Sequence, residues 1–161
     1  MTSAFIAAIL AVIVFMITQS ILKFVIEPIQ EQRKLIGEIA NAFVAYADVP
    51  VYSAQELYER PEETSAYRER LAETRQELRR LSGRLRATLW AIPFYKLLSR
   101  IKAVPKVADI DEASDGLIGW SNTLASPDAH DRVRKHQDTV SEKLGITPRY
   151  EQLRATKGDS G

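Results

Sequence analysis

The sequence predicts an all-α protein: one N-terminal transmembrane helix followed by a cytoplasmic helical bundle of about four to five helices. Three observations carry this prediction. The first 22 residues hold no charged side chain, although Asp, Glu, Lys and Arg make up 27% of the whole chain. Beyond that stretch, apolar residues recur at three- and four-residue steps, the period of a helix with one buried face. No run of alternating β-branched residues is long enough for a strand.

The span comes first. Residues 4–22 read AFIAAILAVIVFMITQSIL. As a helix they are about 28 Å long, close to the hydrocarbon thickness of about 30 Å. A lone segment in lipid must be helical, because no other single-segment structure pairs its own backbone N–H and C=O groups. A cleaved signal peptide is the competing reading. It needs a basic N-terminal region, a shorter apolar core and a small-residue cleavage site. MTSA carries no basic residue and TQSILK is a poor cleavage site, so a retained anchor over residues 1–27 is expected. Lys23, Arg33 and Lys34 follow the span, and only the terminal amine precedes it. The positive-inside rule then puts the N-terminus outside and the body in the cytoplasm.

The polar end of the span, Thr18, Gln19 and Ser20, has two readings. It is either the lipid interface or, with Glu27 at the mouth, the lining of a homo-oligomeric channel. Ala4 with Ala8 and Ala7 with Ala11 have the small-residue spacing that permits self-association. Lys23 can snorkel to the headgroups. Glu27–Pro28 then reads as the joint at which a second helical segment begins, since proline suits a first helical turn.

The body is expected over residues 28–145. Ile29, Leu35, Ile36, Ile39, Ala40, Phe43 and Tyr46 make one stripe, opposite Gln30, Glu31, Arg33, Lys34, Glu38 and Asn41. An acidic connector, DVPVYSAQELYERPEE, follows, with Ser53 and Glu56 at capping-box spacing. A long helix should run to residue 92, starting at Pro61–Glu62–Glu63, where carboxylates favour the positive end of the helix dipole. Its seam is Tyr67, Leu71, Thr74, Leu78, Leu81, Leu85, Thr88 and Ile92. Residues 28–92 thus form an antiparallel hairpin. Val107, Ile110, Ala113, Leu117 and Leu124 mark a helix over 105–125, with Trp120 near the stripe's edge. Ser126–Pro127–Asp128 starts a helix over 127–144 that ends at Gly145, a natural left-handed cap. Residues 146–161 read as a loose tail.

One segment suggests a second membrane contact. Residues 79–102, RRLSGRLRATLWAIPFYKLLSRIK, contain seven basic residues and no acid. Aromatics with Lys and Arg are what a bilayer interface favours, and anionic lipid attracts clustered cations. The 28–92 hairpin would return residues 90–102 of it to the inner leaflet, beside the joint at Pro28. The membrane-surface candidates are Lys23, Arg84, Arg86, Trp90, Phe94, Tyr95, Lys96, Arg100 and Lys102. The competing reading makes Trp90, Phe94, Leu97 and Leu98 ordinary bundle core. Nucleic-acid binding is disfavoured by a formal charge of only +1 and by the lack of a recognition motif.

No catalytic constellation emerges. The chain has no cysteine, hence no thiolate ligand or thiol nucleophile. His130 and His136 fall on different sides of a helix and read as surface residues. DIDEASDGLIGW fails as a calcium loop, because Ala113 and Trp120 stand where ligands are required. No catalytic, cofactor-binding or metal residues are assigned, and a non-enzyme is expected.

Three stretches, IEPIQEQRKLIGEIANAFVAYA, RLSGRLRATLWAIPFY and GLIGWSN, resemble those of an uncharacterised family of small bacterial single-pass membrane proteins. The resemblance implies a bacterial inner-membrane location and transfers no activity or site. The resulting expectation is a membrane-anchored interaction or regulatory module, with anionic lipid and a protein partner as binding partners. A self-associating pore subunit is the alternative.

Overall fold

A computed structural model describes residues 2–46, 61–124, 126 and 129–146; in residues 2–5, 61–64 and 129 only the backbone is described. The elements are α1 (Thr2–Ile21), a π-helical turn (Leu22–Ile26), α2 (Glu27–Ala45), α3 (Pro61–Ala91), α4 (Tyr95–Arg100), α5 (Val107–Thr123) and α6 (Ala129–Leu144). No strand occurs among the described residues. The protein is all-helical, as the periodicity predicts. The connector with its Ser53–Glu56 box, the Pro127–Asp128 helix start and the tail from residue 147 lie outside the described residues.

α1, the π turn and α2 form one unbroken helix. Pro28 has no N–H to donate, and its ring crowds the carbonyl of Phe24 one turn earlier. The chain meets both demands by widening rather than breaking. Glu27 N–H donates to the carbonyl of Leu22, five residues back, and single π turns of this kind are a recognised cause of helix bends. The joint expected at Glu27–Pro28 is therefore a continuous helical coupling, not a stop and restart. α1 is long and apolar enough to cross a bilayer, and none of its most apolar window is buried in the body.

Side-chain pairs fix the order of the bundle. Gln32 meets Thr88, and Glu38 pairs with Arg84, so α2 and α3 run antiparallel. Ser82 donates to the Ser114 carbonyl and Arg79 to Asn122, so α3 and α5 are antiparallel. Lys143 pairs with Glu112 at 2.8 Å, which sets α5 against α6. α6 also touches α2, closing an up-down-up-down bundle.

The core follows the predicted seams. Ile29, Leu35, Ile39, Leu78, Leu81, Leu85, Ile92, Ile110, Ala113 and Leu117 are all buried. Trp120 departs from expectation: it is 0% exposed, at the centre of the core rather than at a stripe's edge. Its ring stacks on Phe43 at 5.3 Å and meets Tyr46 edge-on at 6.5 Å. α5 packs against both α3 and α6, so its buried face is wider than one stripe and takes in Ser114, Gly116, Ser121 and Thr123.

Two glycines on α5 set its approach to α6. A Cβ at Gly116 would lie 2.7 Å from Val140 Cγ2 and 3.4 Å from the His136 carbonyl. At Gly119 a Cβ would collide with the His136 imidazole. His136 is thus partly buried against α5 and corrects its expected surface placement; His130 is exposed as expected. Burial, then the charge of Lys135, lowers the His136 pKa. The neutral ring is the folded form, so stability is full above the ordinary histidine pKa and falls as acidification protonates the unfolded chain.

Gly116→Ala should cost about 2 kcal/mol, because Val140 is stiff and fully buried and the helices must part. Gly119→Ala should cost clearly less, since the imidazole can swing outward. Thermal melting of the full chain in mild detergent ranks the two.

α6 ends as predicted at Gly145, whose φ is +64°. Gly145 N–H donates to the Glu142 carbonyl and Ile146 N–H to that of Ser141, the paired bonds of a left-handed cap.

Candidate membrane-facing site

The segment between α3 and α5 closes the end of the bundle from which α2 runs into α1. Three contacts set its level. Gln32 Nε2 donates to Thr88 Oγ1 at 2.8 Å and to Tyr95 Oη at 3.0 Å. Arg33 reaches the Ala103 carbonyl at 3.5 Å. Gln32 and Arg33 lie about one turn past Pro28, so residues 88–103 sit level with the first turn of α2.

Gln32 is almost fully buried, and sequence reasoning missed it. The signal was available: it falls at the i+3 position of the Ile29 stripe, in the seam. A buried amide must be hydrogen-bonded to be tolerated, and here Thr88 and Tyr95 meet that need. Thr88 in turn donates to the Leu85 carbonyl at 2.7 Å. Burial raises the Tyr95 pKa, against the lowering effect of the Gln32 hydrogen bond. The phenol stays neutral and available as a partner.

The segment has two faces. Ile92, Tyr95 and Val104 point into the core, with Leu98 packed partly against it. Trp90, Phe94, Leu97 and Ile101 face away, at 92%, 77%, 59% and 67% exposure. Tyr95 is therefore corrected from surface to core, since its ring closes the bundle over Gln32. The core reading of Trp90, Phe94 and Leu97 fails for the same geometric reason, as they lie on the far side of that turn.

Two residues bracket the short helix in the left-handed region: Phe94 with φ 56° and Lys102 with φ 60°. Lys102 N–H donates to the Ser99 carbonyl and Ala103 N–H to that of Leu98, the bond pair that ends α6 at a glycine. Such a conformation costs an L-residue about 1–2 kcal/mol. Neither side chain repays it with buried contacts, as both are exposed.

The basic candidates divide. Arg84 is ion-paired with Glu38 on α2. Arg86 bridges to Asp115 at 2.6 Å and Asp111 at 3.7 Å on α5. Both arginines tie helices together, and their charge is spent on body carboxylates. Lys96, Arg100 and Lys102 are exposed and have no ion-pair or hydrogen-bond partner among the described residues; the same holds for Lys23, one turn below the joint.

At the polar end of α1, Thr18 donates to the Val14 carbonyl and Ser20 to that of Met16, both at 2.8 Å. These hydroxyls are satisfied within their own helix. A channel lining would thus rest on Gln19 and Glu27, which are exposed. Among the described residues no three His, Cys, Asp or Glu side chains cluster to hold a metal ion. No protein-family model, characterised protein or solved structure matches the chain.

Proposed function

We propose that this protein is a non-enzymatic membrane anchor for a helical interaction module, with α1 crossing the bacterial inner membrane and the bundle held at its cytoplasmic face. The observation that carries this reading is the single helix Thr2–Ala45. Its first half touches nothing in the body, and its second half is the bundle's first element. A helix so divided transmits position: the bilayer fixes one end and the body packs on the other. The Lys23, Arg33 and Lys34 bias supports the orientation, and the resemblance to small bacterial single-pass proteins supports the location.

The absence of cysteine from the chain allows a direct test. Single cysteines replace Ser3 and the exposed Gly83, and intact spheroplasts receive a membrane-impermeant maleimide. The expected result is labelling of Ser3→Cys from outside and of Gly83→Cys only after lysis. Both chains should stay in the membrane fraction through an alkaline wash. Release by that wash overturns the anchor, and labelling of Gly83→Cys in intact cells reverses the orientation. Mass in mild detergent separates this reading from the pore, for which a closed ring is required.

A further inference from the structure

Residues 78–105 contain no Asp or Glu, yet their basic side chains fall into two groups. Arg80, Arg84 and Arg86 are held by carboxylates of the body, and Arg79 by Asn122. Lys96, Arg100 and Lys102 are left without an acidic partner among the described residues. These three stand in the same short segment that turns Trp90, Phe94, Leu97 and Ile101 outward. That segment also buries Ile92, Tyr95 and Val104, so the outward set is a second face, not a failure to pack. It closes the end of the body at which α2 meets α1, held there by Gln32 and Arg33.

We infer that this face rests on the leaflet of the bilayer crossed by the chain's own span, with Lys96, Arg100 and Lys102 on the phosphates of anionic phospholipid. The inference rests on the anchor reading above. Three arguments select lipid as the occupant. The free charges of the segment itself are all positive, they outnumber the exposed Glu27 and Glu31 at the start of α2, and the cytoplasmic leaflet is anionic. Aromatic rings interleaved with Lys and Arg match the headgroup region, where one part of a side chain is dry and the other wet. The unbroken helix brings this end of the body to the level where α1 leaves the hydrocarbon, so the leaflet is already adjacent. Trp90 and Phe94 enter the interface, and Lys23 joins the same belt from below the joint.

The test uses the full chain reconstituted into phosphatidylcholine vesicles with and without phosphatidylglycerol, some acyl chains being brominated. The chain has two tryptophans, and Trp120 is sealed in the core, so quenching reads Trp90. In anionic vesicles Trp90 should be quenched by bromolipid and shielded from aqueous acrylamide. Trp90→Phe should abolish most of that quenching. Each of Lys96→Gln, Arg100→Gln and Lys102→Gln should lower the ratio of docked to free face about fivefold, and high salt should weaken docking likewise. Trp90 open to acrylamide and untouched by bromolipid in anionic vesicles overturns the inference. Shielding found only in native membranes, and not in lipid vesicles, also overturns it and assigns the face to a protein. Flotation after an alkaline wash reports the span separately. A chain that floats with an aqueous Trp90 defeats this inference alone, whereas a chain that fails to float defeats the anchor.

Discussion

Trp120→Ala is expected to cost the body about 4 kcal/mol, a large share of the roughly 5–15 kcal/mol that holds an ordinary domain together. The indole is fully buried. Its stack on Phe43 and its edge contact with Tyr46 join α5 to the far end of α2, so truncation leaves a cavity between helices already pinned elsewhere. Leu117 and Leu124 sit one turn away on either side and cannot both move in. Trp120→Phe should cost far less, on the order of 1 kcal/mol. It keeps the aromatic contacts and removes an indole N–H that has no hydrogen-bond partner among the described residues, a group that is unfavourable to bury. Melting of the full chain in mild detergent, followed by near-ultraviolet circular dichroism, reads both variants. Equal losses for Ala and Phe would mean that the N–H, not the ring volume, is what the site needs.

The second large effect is positional. Inserting seven polar helix-forming residues between Pro28 and Ile29 lengthens the coupling helix by about 10 Å and nearly preserves its rotational phase. That displacement is comparable to the Debye length of about 8–10 Å at physiological salt. The free cations would lose most of their attraction to the leaflet, and Trp90 would move into water. The expected result in anionic vesicles is a red-shifted Trp90 emission open to acrylamide, with the body's melting temperature changed little. The same seven residues appended after Gly161 should leave Trp90 in lipid. If the insertion leaves Trp90 shielded, the level of the body is not set by the α1–α2 helix, and the transmission of position argued above is wrong.

Local information in the sequence located α2, α3, α5 and α6, whereas the short helix α4 fell in a stretch read only as a membrane-proximal segment. The Leu78, Leu81, Leu85 steps fix a helix face, and the same spacing continues through Thr88 to Ile92. Gly145 ends α6 because a left-handed residue is required there and glycine accepts it freely. The apolar run in α1 is set by composition alone. The continuous helix through Pro28 was not legible in the same way. Proline announces a disturbance, but whether the chain restarts or widens depends on how neighbouring turns are held, and Val25 and Ile29 are held by the body.

What remained was decided by partners distant in sequence. Gln32 is buried because Tyr95 and Thr88, 63 and 56 residues away, receive its amide. His136 lies on α5 only because Gly119 leaves room for its ring. The division of the basic residues is of the same kind. Arg84 and Lys96 read alike in the chain, but Arg84 faces Glu38 across a helix pair, while Lys96 points out of the bundle's end. Local spacing determined the helices, their buried faces and the apolar segment, since periodicity and hydropathy act within a few turns. Tertiary packing alone decided which polar groups are satisfied and which charges and aromatic rings remain outside, because hydrogen bonds and ion pairs form only where the fold brings remote residues together.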